Sequence, residues 1–368
     1  MSDERDTTPA LGTPGGPAFG QRTEGETVAL HVGQWKDGRW SYLFKDDTEY
    51  GSQAPDLEVI RDAARRARTG PPPETIQGPI MHAPVWTWEV PLYFWFGGMA
   101  AGASFVALAC DLAGDERSAK VARLMALGGL APCPVLLIMD LGRPERFYNM
   151  LRIVKPRSPM STGAWALTAF GTLGAGAVGA DLLDRRHTAK ALGAATALVG
   201  GYLGSYTGVL LAATAVPLWA RSRLFLGPIF VATGTATGAA ACRLLLEATG
   251  RDPEGATCRA LSAVENGAMA AELALSSINE RRLGPLAHGL DEGRPGQQYA
   301  AAKWSVRAAL AARLATRRRR VPGVHNATSL LFMTAALLFR YAWVGAGRHN
   351  ASQDRVVAEM ARSRRHGD

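Results

Sequence analysis

Apolar residues come in successive blocks after about residue 85, and each block is about 20 residues long, enough to span the hydrocarbon core of a bilayer. The preceding residues are instead charged and contain many prolines. The mean hydropathy of −0.02 is therefore an average over two unlike regions. We predict an all-α, polytopic membrane helix bundle with a soluble N-terminal extension. Its parts are a soluble extension at 1–84, a transmembrane domain at 85–348 and a basic C-terminal tail at 349–368.

The apolar blocks predict about eight spanning helices. These are residues 90–112, 120–140, 163–182, 190–214, 224–247, 259–279, 300–316 and 325–345. The sixth contains Glu265 and Glu272, and the seventh carries Lys303, Arg307 and Arg313. For the seventh, an amphipathic helix lying on the membrane surface is the alternative, and it would move the C-terminus to the other side.

The N-terminal extension has two local patterns. Residues 35–44, W-K-D-G-R-W-S-Y-L-F, suit a small hairpin, and residues 56–68 suit a short helix. We expect this extension to lie on a partner subunit, with a disordered tail as the alternative. Because residues 1–34 lack an apolar core preceded by basic residues, we expect the first span to direct insertion.

Small residues and prolines predict how the spans pack. Glycines recur every four residues in three spans, which lets neighbouring backbones approach closely. They are Gly98 and Gly102, then Gly200, Gly204 and Gly208, then Gly234 and Gly238. Pro132 and Pro134 flank Cys133 inside the second span and predict a bend there.

Several kinds of site are disfavoured. The four cysteines have no C-x-x-C spacing, so neither an iron–sulfur cluster nor zinc is expected in this chain. All seven histidines fall in tails, loops or span ends, which disfavours haem. The net charge of +9 comes mostly from loop arginines, so it indicates membrane topology and not nucleic acid. Their distribution weakly favours a cytoplasmic N-terminal side.

Three motifs together resemble one family. They are D-L-G-R-P from Asp140, continued by S-P-M-S-T-G-A-W at residues 158–165, then Y-F-W-F-G-G-M-A-A-G at 93–102 and Y-T-G-V-L-L at 206–211. They resemble the NrfD-like proteins, the membrane subunits of polysulfide reductase and related molybdenum enzymes. The resemblance covers about 260 residues, from Trp86 to Gly347. The charged seventh span and the long N-terminal extension depart from the usual pattern.

The resemblance implies the membrane anchor of a multisubunit oxidoreductase in a prokaryotic inner membrane. Such a subunit passes electrons between the iron–sulfur clusters of a ferredoxin-like partner and a quinone, menaquinone or ubiquinone, with proton uptake or release. It also implies a molybdopterin catalytic subunit, where the substrate chemistry takes place. Because better characterised relatives keep their catalytic side outside the cytoplasm, both orientations stay as alternatives.

A quinone needs an apolar slot and polar groups at its head oxygens. Candidates are His82, Trp86, Glu89, Tyr93, Asp140, Arg143 and Tyr206. Two crossings separate Glu89 from Asp140, which places both at one membrane face. From the resemblance we expect Tyr206 to donate a hydrogen bond to the quinone, with Glu89 or His82 exchanging protons. The alternatives are a Tyr206 satisfied by a neighbouring carbonyl, and interfacial anchoring for the aromatic residues of the first span.

Two further groups of charged residues have candidate roles. Arg143, Glu145, Arg146 and Asn149 are candidates for docking the iron–sulfur subunit, with a salt-bridged loop cap as the alternative. Asp111, Arg243, Glu265 and Glu272 are candidates for a proton path. Glu265 and Glu272 share one helix face, whereas Arg243 can also pair with Glu247 in its own helix.

Two rival functions use the same residues. A secondary transporter could use Glu265, Glu272 and Arg243 along a polar path, although the sequence shows no internal repeat. A purely structural anchor would assemble the same complex but bind no quinone at Tyr206.

Overall fold

The structure, a computed structural model, describes residues 58, 61–62, 65, 80–141, 143–317, 321, 323–354 and 356–358. The chain divides into two units, Met1–Thr75 and Ile76–Asp368. In the first unit the predicted hairpin lies outside the described residues. The four described residues of the predicted helix at 56–68 are helical.

Eleven α-helices make up the regular structure of the described part of the second unit, together with short 3-10 turns. They are α1 (Glu89–Leu112), α2 (Glu116–Leu130), α3 (Pro132–Met139), α4 (Asn149–Arg152), α5 (Pro159–Leu182), α6 (Arg186–Ala212), α7 (Pro217–Arg221), α8 (Arg223–Ala248), α9 (Ala256–Leu283), α10 (Gly293–Thr316) and α11 (Val324–Ala351). No strand occurs among these residues. The all-α prediction is confirmed.

All eight predicted spans are helical, and local chemistry explains several of their ends. The side chain of Asp115 caps α2 by accepting a hydrogen bond from the Ser118 amide at 3.2 Å. Ser158 caps α5, and Pro159 occupies its first position. The helix of the second span is interrupted at Ala131, between α2 and α3, which is the place where the sequence predicts a bend.

Five helices of the described part are long and apolar enough to cross a membrane: α1, α2 with α3, α6, α8 and α11. The chain is thus a multi-pass membrane protein. By composition α5, α9 and α10 do not reach the same threshold, although each has at least 24 residues. Because α10 packs extensively against α11, it does not lie apart as a surface helix.

Helices α1 and α8 pack closely at the centre of the bundle. A methyl group on Gly102 would overlap the backbone of Gly234, and one on Gly238 would overlap the backbone of Gly102 and Ala103. Only a residue without a side chain permits this approach. The predicted packing role of these glycines is confirmed.

The central pair separates two groups of helices. Helices α2, α3, α5 and α6 form the first half with α1, and α9, α10 and α11 form the second half with α8. We call the membrane face at which α1 begins the near face, and the one at which it ends the far face. Helix alternation places the 140–158 loop at the near face and the 249–255 loop at the far face.

Candidate functional site

A cluster of tyrosines lies in the first half, towards the near face. Tyr93 of α1 lies close to Tyr202 and Tyr206 of α6 and to Cys133 of α3. The rings of Tyr202 and Tyr206 are 6.1 Å apart between centroids. The structure therefore brings Tyr93 and Tyr206 together, as a shared site requires. Tyr202 and Cys133 are neighbours that sequence reasoning missed, since they carry no spacing signal of their own.

Two of the sequence motifs meet at Tyr206. A methyl group on Gly163, in the S-T-G-A-W segment of α5, would overlap the Tyr206 ring. The ring therefore lies directly on the α5 backbone, and Tyr206 is only 5% exposed. This contact explains in physical terms why a glycine stands at position 163.

The Tyr206 hydroxyl has no hydrogen-bond partner among the described residues. Its neighbour Tyr202 donates instead to Thr162 Oγ1 at 2.8 Å. The alternative in which a carbonyl satisfies Tyr206 therefore finds no support in these contacts. A hydroxyl without a protein partner, on a side chain that is otherwise buried, retains a donor for a bound molecule.

Glu89 and Asp140 stand at the near-face ends of α1 and α3 and interact electrostatically. Glu89 is half-buried and accepts a hydrogen bond from the Thr87 hydroxyl. Asp140 follows α3, and its partial burial raises its pKa to about 6, with a further contribution from the charge of Glu89. The prediction that both carboxylates lie at the same face is consistent with this interaction. A carboxyl group with this pKa can exchange protons near neutral pH.

The other two first-span candidates have different surroundings. Trp86 stacks on Trp219 of α7 with 5.3 Å between ring centroids, and its carbonyl accepts a hydrogen bond from Arg348 at 2.7 Å. These contacts anchor the segment that precedes α1 to α7 and α11. His82 is exposed in the same segment. Neither the ring stacking of Trp86 nor its hydrogen bond involves the tyrosine cluster.

The 143–158 loop presents a mixed apolar and charged surface at the near face. Glu145 and Arg146 are exposed in a 3-10 turn, and Asn149 begins α4. Neither Glu145 nor Arg146 forms an ion pair within the described residues, so the salt-bridged cap has no support for these two. Large apolar side chains are exposed beside them, at Phe147, Tyr148, Leu151, Ile153 and Val154. This apolar surface was not predicted from the sequence, where only the charged and polar residues of the loop were singled out.

A buried ionic network occupies the far-face end of the second half. Glu265 of α9 accepts hydrogen bonds from Arg243 at 3.1 Å and from Arg313 at 2.6 Å. Ser329 of α11 bonds to all three, and Arg243 also pairs with Glu247. The predicted pairing within α8 is therefore present, but it belongs to a larger network. The participation of Arg313 in this network was not predicted from the sequence, where the residue was noted only as a charge in the seventh span.

Asp111 lies apart from this network. It pairs with Arg123 of α2 at 2.6 Å, and Arg123 also bonds Asp181 of α5 at 2.6 Å. Three helices of the first half are joined by this triad. The structure thus does not bring Asp111 together with Arg243, Glu265 and Glu272.

Glu272 lies deeper in the second half, between the network and the near face. It is buried and accepts a hydrogen bond from Ser276 at 2.7 Å. Glu272, Thr233 and Lys303 line a packing gap that is too small to hold a water molecule. Lys303 in turn contacts Glu280 at 2.7 Å, and Tyr299 donates to the same carboxylate at 2.5 Å. Polar groups therefore continue from Glu272 towards the near face.

A cleft of about 1260 Å³ opens at the far face beside the ionic network. Arg243, Glu247 and Arg313 lie at its floor. Its walls come from α9 and α10, which hardly contact each other. No group of three or more metal-ligating side chains occurs among the described residues.

Comparison with known families gives one match for this arrangement. The family described as "Polysulphide reductase, NrfD" matches residues 79–278, just over half of the 368-residue chain. The matched region begins before α1 and ends within α9, so it includes the tyrosine cluster, the near-face loop, Glu265 and Glu272. Comparison with curated proteins gave no match.

Proposed function

This chain belongs to the NrfD family, and we propose that it is the quinone-reactive membrane subunit of a multisubunit, polysulphide reductase-like oxidoreductase. Electrons would pass directly between iron–sulfur clusters of a partner subunit and a membrane quinone, menaquinone or ubiquinone. The surroundings would be a prokaryotic plasma membrane. A molybdopterin subunit would carry the chemistry on the small substrate.

The observation that carries this proposal is the Tyr206 hydroxyl. The Tyr206 side chain is buried, and its hydroxyl has no protein partner among the described residues. It lies close to Tyr93 of α1 and on the α5 backbone at Gly163. These are the requirements of a quinone head group, namely a hydrogen-bond donor in apolar surroundings.

Proton exchange belongs to the carboxylates beside the cluster. Reduction of a quinone takes up two protons with two electrons, and oxidation of a quinol releases them. Asp140, with its pKa of about 6, and Glu89 lie at the near face where such protons can exchange with water. His82 is a further candidate, exposed in the segment that precedes α1. Arg143 follows Asp140 closely enough in the chain to take part in the same site.

The acids of the second half suit a separate proton path. Arg243 and Glu265 lie next to the far-face cleft, and Glu272 continues the row towards the near face. Asp111 is held by Arg123 in the first half and has no contact with this row. The path we propose therefore contains Arg243, Glu265 and Glu272, with Asp111 assigned to helix packing.

The near-face loop is suited to docking an electron-transfer subunit. Arg143, Glu145, Arg146 and Asn149 supply polar contacts, and the apolar side chains from Phe147 to Val154 supply area. An exposed mixture of apolar and charged groups is typical of protein interfaces. A ferredoxin-like partner at this loop would bring its clusters to the same face as Tyr206.

Single-turnover electron transfer tests this function. The complex would be purified from native membranes, its iron–sulfur clusters reduced by substrate, and a short-chain quinone then added. We expect the cluster absorbance and paramagnetic signals to return to the oxidised state as quinol forms. Purification of the chain without any iron–sulfur partner would contradict the proposal and favour a transporter. Reduced clusters that quinone cannot oxidise would indicate a structural anchor.

A further inference from the structure

An arginine on α10 faces outward at membrane depth. Arg307 is exposed, and it has no carboxylate partner among the described residues. It lies nine residues before the end of α10 at Thr316, which is about 14 Å from the far-face end of the helix. Since α10 packs against the spanning helix α11, this position lies well inside a hydrocarbon core of about 30 Å.

Arg307 does not extend towards the far face. Its guanidinium lies over the ring of Trp304, 5.0 Å from the centroid. Trp304 precedes it by one turn, so it is farther from the far face, in line with the tilt of helical side chains towards the N-terminus. The guanidinium therefore does not extend to the nearer lipid head groups, as long basic side chains in membrane helices usually do. Exposing an arginine to lipid at this depth costs free energy, so we expect a negatively charged group to pair with it.

The surface around Arg307 is shaped for a helix. On α10, Ala308 and Ala311 are exposed beside it. On α9, Ala263, Gly267 and Ala270 are exposed in the wall of the cleft, and Arg259 is exposed in the same wall nearer the far face. A side chain added at Gly267 would meet no atom within 4 Å. Walls of small residues permit close backbone approach, which is how membrane helices gain contact area.

We propose that the α9–α10 face binds a transmembrane helix of a partner subunit, and that this helix carries an aspartate or glutamate at the depth of Arg307. The small residues of α9 and α10 receive its backbone, and its carboxylate pairs with the guanidinium. The low hydropathy of α9 and α10 follows directly, because neither helix faces lipid along this side.

Two other occupants fit less well. A second copy related by an axis along the membrane normal would place α10 parallel to α10, and Arg307 would meet its own equivalent. The exposed residues of α9 that line the cleft include no carboxylate; they are Arg259, Ala263, Gly267 and Ala270. Glu254, which also lines the cleft, belongs to the preceding loop at the far face and does not lie at the depth of Arg307. A lipid phosphate would sit at the far face, and Arg307 is aimed away from it.

Photo-crosslinking in native membranes tests the proposal. A photoreactive amino acid would replace Ala311 or Gly267, with Leu198, 82% exposed on α6, as the matched control position. We expect positions 311 and 267 to label the same membrane peptide, which contains an acidic residue within its apolar segment, and position 198 not to label it. Labelling of lipid alone, or of a second copy of this chain, would overturn the proposal.

Substitutions of Arg307 provide the second arm. In the purified complex, Arg307→Leu is expected to lower the thermal transition and release the labelled subunit, since it leaves a carboxylate unpaired in the membrane. Arg307→Lys is expected to retain most of the binding. Gly267→Leu should displace the partner helix without disturbing contacts within this chain. If Arg307→Leu leaves assembly unchanged, or raises the transition as removal of a lipid-facing charge would, the proposal fails.

Discussion

Arg340 is a buried charged residue whose guanidinium lies in the space beside Gly98. The side chain is buried between α1, α8 and α11, and within the described part of the chain its one hydrogen bond goes to the Ala336 carbonyl at 3.0 Å. Its guanidinium lies over the ring of Phe230, 5.5 Å from the centroid. A methyl group on Gly98 would come within 2.5 Å of the same guanidinium. The space left by Gly98 is therefore what admits the arginine.

We predict that Gly98→Ala destabilises the bundle, because the added methyl group would lie within 2.5 Å of the buried guanidinium, which would have to shift. The expected cost is about 1–3 kcal/mol, seen as a lower thermal transition in detergent. Gly201→Ala is the control, since its added methyl group meets nothing within 4 Å and alanine favours the helix. An equal response of the two variants would show that Arg340 is not confined by Gly98.

Asp140 should give quinone turnover a dependence on pH. Burial raises its pKa from 3.8 to about 6, so the carboxyl group is protonated below pH 6 and ionised above it. If the complex reduces quinone, loss of this donor lowers the rate as pH rises through 6. If it oxidises quinol, the ionised acceptor raises the rate over the same range.

We expect Asp140→Asn to remove this inflection in the pH profile of quinone turnover, while substrate-to-dye activity stays unchanged. Glu145→Gln, an exposed carboxylate of the same loop, is the matched control and should keep the inflection. Persistence of the inflection in Asp140→Asn would assign it to another group.

At the scale of helices, the ionic network joins α8, α9, α10 and α11. Glu265 is the carboxylate shared by Arg243 and Arg313, and it is fully buried. Removing one partner of a buried pair leaves uncompensated charge, which costs about 3–5 kcal/mol. We predict that Glu265→Gln lowers the thermal transition strongly. Glu116→Gln, which disturbs only surface pairs with Arg186 and Lys190, is expected to cost about 0–1 kcal/mol.

The helices themselves could be predicted from the sequence, because apolar length and helix-ending residues are local signals. The segments, the interruption before Pro132 and the close approach of a neighbouring backbone to Gly102 all follow from such signals. The rotation of each helix could not be predicted in the same way. Arg307 and Arg313 are six residues apart on α10, yet one faces outward and the other is buried.

Contacts between helices were the least predictable part of the site. Tyr206 could be singled out from its motif, but its position on Gly163 depends on how α5 and α6 pack. From the sequence, Asp111 was grouped with the other acids that lie within the spans. Its ion pair with Arg123 instead belongs to the first half of the bundle. Both outcomes depend on interhelical geometry, which a single sequence does not encode locally.

For the whole molecule, the residues of the proposed quinone site and those of the proposed proton path lie in different halves of the bundle. The tyrosine cluster and Asp140 lie with α1, α3, α5 and α6, whereas Glu265 and Glu272 lie with α8 to α11. The central pair α1 and α8 is closely packed through glycines, so the halves are held in a fixed relation. Quinone chemistry and a proton path could then be altered separately by substitution.

Steady-state quinone turnover by the assembled complex, comparing Tyr206→Phe with wild type, tests the central claim most directly. Tyr202→Phe is the control, because it removes a neighbouring hydroxyl that already bonds Thr162. We predict that Tyr206→Phe loses about 10-fold or more of quinone turnover, the loss expected for one well-placed hydrogen bond of about 1.5 kcal/mol. Substrate-to-dye activity and subunit composition should stay unchanged. Full quinone turnover in Tyr206→Phe would contradict the account and remove this hydroxyl from the site.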